Sequence, residues 1–414
     1  MKTYPSKLFT SEMQGAHIFT KGTMGQINTL LKQILVTGFG SLVPTSIEYN
    51  SNKKLAVATF QNGHSYLPHS VISITGCDVD TYNGESRVIE VTETECFFEL
   101  NGVPISSVGN PEASEVKVAG AGWTLDADSS DGMVTIISPK DSKREDRKFV
   151  VWGRDEASNV CTSYYSSSTN YGAVATIGFA DTTGGVDPDN IIQDLSVIFP
   201  ADKSDYGITA WEVIASGDFC YIQLQAGRYQ YWNTSRPNQI SAFFGRLEDQ
   251  TNKLLDEQLA IGGYISKAYS KQNYSLYNLN ASSNATWHTP LYFLPQPSTA
   301  SVCNKADGSY SNGLANDLTQ SGGFVHILPS SFPSPDSVTN AYYMSNEQAY
   351  CKYNNGNLIG KLPMIKLQKS STLNFDRTPF MINGKTYHQF WTCSQDYGQG
   401  YLVPFIFDIS TVEV

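Results

Sequence analysis

Residues 55–100 read LAVATFQNGHSYLPHSVISITGCDVDTYNGESRVIEVTETECFFEL and are the most informative part of the chain. Short apolar runs alternate with polar residues, a pattern typical of half-buried strands. The dipeptides Asn62-Gly63 and Asn83-Gly84 separate the runs, and glycine there accepts the positive φ that tight turns need. Strands are predicted at 55–60, 71–75, 87–91 and 96–100. Several short strands at this spacing predict a small antiparallel β-barrel or sandwich.

A helix is predicted just before this stretch, over residues 23–38. Thr23 is a plausible N-cap and Gly38 a plausible stop. Apolar residues recur at intervals of three and four along it and form one stripe: Met24, Ile27, Leu30, Leu31, Ile34 and Leu35. The stripe either packs on the barrel or contacts a neighbouring subunit. We favour the first alternative, because most helical stripes face their own core.

The pattern divides the chain into three parts. Residues 1–44 form an extended arm and the helix, residues 45–118 a small β-barrel module, and residues 119–414 a large β-rich, sandwich-like domain. Whether this last part is one fold or two is left open. The predicted fold class is therefore mainly β.

Further strands are predicted within the large domain, and Trp123 anchors its beginning. A short helix is predicted at 248–261, and long loops or an insertion at 268–345, which is rich in Tyr, Ser, Asn and Pro. A hairpin turn is predicted at Asn383-Gly384. The predicted strands are 133–137, 148–152, 173–179, 211–214, 219–225, 358–366, 380–387 and 401–409.

The amino-acid composition favours some classes of function and disfavours others. Charged residues make up 16% of the 414 residues, against a usual ~25%. Abundant Tyr and Phe with few charges are typical of proteins that pack against many neighbours. The net charge of -11 disfavours binding to phosphate backbones. No apolar window approaches the ~18 residues of a membrane span, and none is predicted. The opening MKTYPSKLFTSEMQ has no apolar run of the signal-peptide kind.

The cysteines are scattered, and none stand at CxxC spacing, which disfavours a zinc ribbon or a thioredoxin-like motif. Cys77 and Cys96 could pair, but buried free thiols, as expected after synthesis in a reducing cytoplasm, are the preferred interpretation. The seven positions are Cys77, Cys96, Cys161, Cys220, Cys303, Cys351 and Cys393.

No catalytic, cofactor-binding or metal-binding residue is predicted, and we expect a protein that is not an enzyme. Two Asp-rich turns, at 78–84 and 126–132, resemble calcium loops but carry one residue too many, so ordinary turns are favoured. No GxSxG elbow or HExxH helix occurs. Carboxylates suited to glycoside hydrolysis are present, but their separation cannot be read from the sequence: Asp181, Asp187, Asp189, Asp202, Asp205 and Glu212.

The best candidate for a binding surface is Tyr229-Gln230-Tyr231-Trp232. The aromatics Tyr229, Tyr231 and Trp232 suit a subunit interface, the stacking of sugar rings, or one face of a core. Core or interface packing is favoured over glycan binding.

Three segments carry a resemblance to a known family: GTMGQINTLLKQILVTGFG (22–40), AVATFQNGHSYLPHSVISITGCDVDTYNGESRVIEV (56–91) and AGWT (121–124). In this order they resemble the opening of a family of tailed-bacteriophage tail or virion structural proteins, in which a short helix precedes a module of the type GH-x-Y … G … YNGE-x-RV. Pro68-His69 stands where a Gly-Asp turn is usual. The resemblance covers the first third of the chain. The matching positions are Gly63, His64, Tyr66, Gly76, Tyr82, Asn83, Gly84, Glu85, Arg87 and Val88.

This resemblance implies a structural component of the virion, in the tail or baseplate and made in the host cytoplasm. It would act by self-association as a homo-oligomer and by docking its arm, helix and strands on other phage tail proteins, with no cofactor. One alternative is a receptor- or glycan-binding tail appendage that exposes residues 200–345 to the host surface. A further alternative is a tail-associated polysaccharide depolymerase.

Overall fold

The structure is a computed structural model that describes a set of residue ranges along the chain. Within them the chain folds into 27 β-strands and one short α-helix, so the fold is mainly β, as the sequence predicts. In these ranges no helix has the length and apolar character needed to cross a membrane. The described residues are 2–20, 25–143, 145, 147–153, 171–188, 193–202, 208–226, 238–249, 251, 253–263, 287–293, 322–327, 349–353, 358–361, 363–367, 379–382, 384–394 and 401–413.

The arm contains strands β1 (Lys2–Thr3) and β2 (Lys7–Thr10), and the helix α1 (Gln26–Leu31) follows. The helix continues as a π-helical segment, Lys32–Thr37. It ends at Gly38, whose φ of 71° confirms the predicted stop. The described part of the apolar stripe is buried in the chain's own core, as favoured: Ile27, Leu30, Leu31, Ile34 and Leu35. The helix lies mainly against the strands Arg147–Trp152 and Tyr171–Asp181, which are not part of the barrel on which it was expected to pack. The predicted N-cap Thr23 and Met24 lie outside the described residues, and the residue before the helix is Gly25.

The module, residues 45–118, and the preceding strand β3 form a seven-stranded antiparallel sheet curled into a half-barrel. Its spatial order is β3-β9-β6-β7-β8-β5-β4. The four strands predicted from residues 55–100 correspond to the fifth to eighth strands, whereas β3, β4 and β9 were not predicted. The strands are β3 (Phe39–Leu42), β4 (Ser46–Asn50), β5 (Leu55–Thr59), β6 (Val71–Thr75), β7 (Gly84–Val91), β8 (Glu95–Phe98) and β9 (Glu115–Val118).

A five-stranded antiparallel sheet follows, in which neighbours in sequence are neighbours in space. It confirms the strands predicted at 133–137, 148–152 and 173–179. Apolar side chains from both faces are buried, with Phe149 on the face of the main core and Val150 on the other. The strands are β10 (Thr124–Asp128), β11 (Val134–Ser138), β12 (Arg147–Trp152), β13 (Tyr171–Asp181) and β14 (Gln193–Asp202).

Strand β2 of the arm is an edge strand of a nine-stranded sheet. Its order is β18-β19-β20-β21-β22-β17-β16-β15-β2, and β18 also pairs with β17, so six strands close on themselves. Strands β19 and β20 lie within the region 268–345, where loops or an insertion were expected. The strands that follow β14 are β15 (Ile208–Ala215), β16 (Phe219–Ala226), β17 (Asn238–Glu248), β18 (Leu254–Gly263), β19 (Trp287–Phe293), β20 (Gly322–Ile327), β21 (Ala349–Tyr353) and β22 (Leu358–Lys361).

The short helix predicted at 248–261 is wrong. The Asp249 carboxylate accepts the backbone N–H groups of Thr251 and Lys253 and so builds a turn. The chain then returns as β18, in which Leu259 pairs with Arg246 of β17. Cross-strand pairing therefore outweighs the local helix propensity of this segment.

The C-terminal strands form a small sheet of order β23-β26-β25-β24 and a two-stranded ribbon of β1 with β27. Gly384, at φ 75°, turns β24 into β25, which confirms the predicted hairpin. The strands are β23 (Ile365–Leu367), β24 (Phe380–Ile382), β25 (Lys385–Ser394), β26 (Tyr401–Asp408) and β27 (Val412–Glu413).

One hydrophobic cluster runs from Leu8 to Ile409 and joins the module to the sheets that follow. Trp123 is central to it, since its ring packs against Phe149 and Phe244. Its indole N–H donates to the carbonyl oxygen of Ser216 at 2.7 Å. Trp123 is therefore the anchor that the sequence predicts.

Cys77, Cys96 and Cys220 are buried free thiols, in agreement with the preferred interpretation. Burial raises the pKa of the Cys96 thiol to about 12 and raises that of Cys220 well above its usual value. Since the thiolate is the reactive form, we expect both to be alkylated at least about 100-fold more slowly in the folded protein than in urea. Peptide-resolved mass spectrometry after iodoacetamide treatment measures this, and equal native and denatured rates would contradict it.

Candidate functional site

The three segments that carry the family resemblance form one physical unit. The backbone N–H of Ala121 donates to the carbonyl of Ile34, and those of Gly122 and Trp123 donate to the carbonyl of Leu35, at 2.8–2.9 Å. Carbonyls at a helix end need partners from outside the helix. The segment 121–124 therefore completes the end of the helical segment. Two residues earlier, the backbone N–H of Ala119 donates to the carbonyl of Val71 in the module at 2.9 Å.

Within the module, the matching residues hold the backbone in place. The His64 Nδ1 accepts the backbone N–H of Tyr66 at 3.1 Å. The Tyr66 hydroxyl oxygen lies 2.6 Å from the carbonyl oxygen of Val116. The Asn83 side-chain amide bonds both the backbone N–H and the carbonyl of Cys77, at 3.0 and 2.9 Å. These side chains thus fix turns and strand ends.

Arg87 joins the module to the C-terminal segment. Its guanidinium is buried, and Nε donates to the Thr411 hydroxyl at 2.9 Å while Nη1 donates to the His69 carbonyl at 2.9 Å. The backbone N–H of Arg87 donates to the hydroxyl of Tyr4 at 3.2 Å. Burial lowers the pKa of Arg87, opposed by the charge of Glu99. Arg87, one of the positions that carry the resemblance, therefore ties both end segments to the module.

The arm is enclosed by its own chain. The buried Lys7 ammonium donates to Glu85 Oε1 and to the carbonyl of Gly120, both at 2.6 Å. Burial lowers the pKa of Lys7, and Glu85 partly offsets this. Strand β2 pairs with β15, and the Ser6 hydroxyl donates to the Asp408 carbonyl at 2.7 Å. In this structure the arm docks within the chain, where the sequence suggested docking on neighbours.

One acid–histidine pair lies in the core between β15 and β25. The His388 Nε2 lies 3.7 Å from Glu212 Oε2. Pairs of this kind serve as general acids and bases when a substrate can reach them. Here His388 and Glu212 are 0% and 7% exposed, so a substrate in solution cannot reach them, and the pair links two strands of the core.

The predicted binding aromatics, Tyr229, Tyr231 and Trp232, lie outside the described residues. Of the six candidate carboxylates, Glu212 is buried, Asp187 is exposed on a turn, and Asp189 and Asp205 also lie outside the described residues. Asp181 and Asp202 are the last residues of β13 and β14.

The Asp-rich turns bond within the chain. Asp78 accepts the backbone N–H of Gly109 at 3.1 Å. Asp126 pairs with Lys148, and Asp131 accepts the Ser129 hydroxyl at 2.6 Å. Across the described ranges, no group of three or more His, Cys, Asp or Glu side chains is arranged to hold a metal ion.

An exposed apolar loop was not predicted as a site. Residues 101–110, which we name the tip loop, cross from β8 towards β9. Val103 and Ile105 at its tip are 71% and 96% exposed. The sequence signal was available, since two apolar residues flank Pro104 directly after the Asn101-Gly102 turn, where polar residues are usual.

The tip loop is firmly anchored. The Tyr82 hydroxyl donates to the Ser106 carbonyl at 3.2 Å, and the Val108 N–H donates to the Ile47 carbonyl at 3.0 Å. At the other end, the backbone N–H of Lys2 donates to the Asn101 side-chain oxygen at 2.6 Å. An ordered loop with an apolar tip is typical of interaction surfaces.

Exposed carboxylates lie on the segments that contact the tip loop. Glu48, Asp78 and Asp80 are exposed on the elements beneath it. Residues 45–118 contain ten Asp and Glu residues against four Lys and Arg residues. Of the four basic residues, Arg87 is buried and Lys53 is paired with Glu90 at 2.8 Å. The tip loop is thus an apolar projection on an acidic surface.

Acid is expected to destabilise the module through His64. Burial lowers the pKa of His64, and a protonated Nδ1 cannot accept the Tyr66 N–H. The unfolded chain therefore binds the proton more readily, and stability falls as the pH drops below ~6.5. The variant His64→Asn keeps an acceptor without titrating. We expect a smaller loss of unfolding free energy for it between about pH 7.5 and about pH 5.5, measured by urea titration. Equal losses in the unchanged chain and in His64→Asn would show that His64 does not cause the acid sensitivity.

Comparisons with known proteins give little. No protein-family model matches the chain, and no curated protein matches it. Among solved structures, the chain is similar to the phage phi92 endosialidase at 10% sequence identity and a TM-score of 0.15, covering 88% of this chain and 68% of that chain. A similarity at that TM-score carries no argument about fold or function.

Proposed function

We propose that this chain is a structural component of a tailed-phage virion, located in the tail or baseplate. In this proposal it acts by binding, through self-association and docking on other tail proteins, and it carries out no catalysis.

One observation carries the proposal. The three segments that resemble phage tail and virion proteins are separated in sequence, yet they fold as one unit. The backbone N–H groups of Ala121, Gly122 and Trp123 donate to the carbonyls of Ile34 and Leu35, and that of Ala119 donates to the Val71 carbonyl of the module. The resemblance therefore applies to a folded element rather than to scattered residues.

Two further observations support a binding role. The chain is mainly β and sparsely charged, which suits a protein that is surrounded by neighbours. Its family-motif residues, such as Arg87 and Asn83, bond the backbone rather than line a cleft. The aromatics Tyr229, Tyr231 and Trp232 stay a prediction, as either an interface or a glycan-binding surface.

Electron microscopy of gold-labelled particles tests the proposal. Antibodies raised against the purified chain are applied to intact particles of the encoding phage, with particles from a gene-disrupted stock as the control. We expect gold at the distal tail. Gold at the head or neck would keep the virion assignment and overturn the tail position. Unlabelled particles in a lysate rich in the protein would overturn the structural role.

A further inference from the structure

We propose that the tip loop is a docking element that inserts Val103 and Ile105 into an apolar pocket of another tail protein, and that lysine or arginine side chains line the rim of this pocket. The inference rests on the proposed function and deepens it by naming the surface and the kind of partner.

The tip of the loop exposes two apolar side chains to solvent. Single exposed apolar side chains are common on protein surfaces. Here two large aliphatic side chains, 71% and 96% exposed, project from one loop and are separated by a single proline. Proline fixes its own φ, so the loop backbone between them is restricted. Burial of both side chains in a pocket removes more apolar surface from water than any single position could.

The tip loop is held in place before any partner binds. The tip loop is held by the Lys2 N–H at Asn101, by Tyr82 at Ser106 and by Asp78 at Gly109. A Cβ at Gly102 would lie 3.9 Å from the Thr81 methyl carbon, so the loop also rests on the turn beneath it. A loop ordered before binding loses little conformational entropy on docking.

Charge selects the occupant. Glu48, Asp78 and Asp80 are exposed carboxylates next to the loop, whereas Lys2, which anchors the loop, is paired with Glu99 at 3.6 Å. A basic rim would complement the exposed carboxylates. A second copy of this chain would bring the same acidic surface to the contact, and like charges oppose that arrangement. A different, basic partner therefore fits better than self-association through this loop.

The binding test uses tail particles purified from a stock in which the gene for this chain is disrupted. The purified, fluorescently labelled chain is added, and the fraction that sediments with the particles is measured. We expect Ile105→Asp to weaken binding at least about 100-fold, because it places a charge in the apolar pocket. The matched control is Ile18→Asp, the same change at an 81% exposed position in the arm. Unchanged melting temperatures show that both variants are folded.

A second variant tests the charge argument. The double change Glu48→Gln with Asp80→Asn removes two carboxylates near the tip while leaving the loop anchors in place. We expect its association rate at about 50 mM salt to fall roughly tenfold. We also expect the difference from the unchanged chain to vanish at about 500 mM salt.

Each outcome has a distinct meaning. If the unchanged chain does not bind the particles, the proposed function itself fails. If it binds and Ile105→Asp binds equally well, the proposed function stands and the docking loop is overturned. Equal losses for Ile105→Asp and Ile18→Asp would also overturn it. If Ile105→Asp abolishes self-association of the purified chain in sedimentation velocity, the basic partner is replaced by a second copy, which overturns the choice of occupant.

Discussion

Replacing Gly40 by alanine is expected to lower the free energy of unfolding by about 3–5 kcal/mol. Gly40 has a φ of +70°, and an added Cβ would lie 1.9 Å from the carbonyl oxygen of Gln14. The two backbones meet here, since a Cβ on Gly15 would in turn lie 2.4 Å from the Cα of Gly40. The clash would push the arm away from the module and break the bond from the Gln14 N–H to the Ser65 carbonyl.

Urea titration measures the loss, and limited proteolysis reports whether the arm is released. The matched control is Gly132→Ala, because Gly132 also has a φ of +70° but has open space around it. The control carries only the backbone strain, about 1–2 kcal/mol. Equal losses in the two variants would show that the close approach of the arm contributes nothing.

Replacing Arg87 by methionine is expected to cost a similar amount, about 3–5 kcal/mol. The change removes the hydrogen bonds to Thr411 and the His69 carbonyl and leaves both groups without this partner in a partly buried place. It also removes a positive charge that interacts with Glu99 and Asp408. We expect faster hydrogen exchange in the β1–β27 ribbon, which Thr411 directly precedes, in addition to the loss measured by urea titration.

The control for Arg87 is Lys53→Met. Lys53 forms a solvent-exposed ion pair with Glu90 at 2.8 Å, and such pairs contribute about 0–1 kcal/mol. A second variant, Arg87→Lys, keeps the charge but loses the fork of donors. If Arg87→Met costs no more than Lys53→Met, the buried guanidinium does not hold the end segments in place.

Sequence reasoning finds the elements that have a clear local pattern of residues. The strands β5 to β8 alternate apolar and polar residues between Asn-Gly turns, and they form as predicted. Strands β3, β4 and β9 have only four or five residues each, and such short runs carry little signal until their neighbours in space pair with them. The segment 248–261 has good helix formers, yet β17 lies beside it and its pairing decides the outcome.

The candidate site is less accessible to sequence reasoning, because long-range contacts build it. Lys7 and Glu85 are 78 residues apart, and Arg87 and Thr411 are 324 apart. No local pattern reports such pairs. The apolar tip of the tip loop could have been noticed from Val103 and Ile105 beside Pro104. The position of Glu48 next to the loop could not, since it follows from the bond between the Val108 N–H and the Ile47 carbonyl, 61 residues apart.

The pairing of β2 with β15 also constrains how the protein is made on the ribosome. Phe9 of β2 pairs with Val213, and the indole of Trp211 bonds the carbonyl of His17, 194 residues away. At ~5–20 residues per second, the arm waits roughly 10–40 s for its partner strand to be synthesised. During that time Leu8 and Phe9, both buried in the finished fold, are open to solvent. The arm of the nascent chain therefore stays without its partner strand until residue 215 has been synthesised.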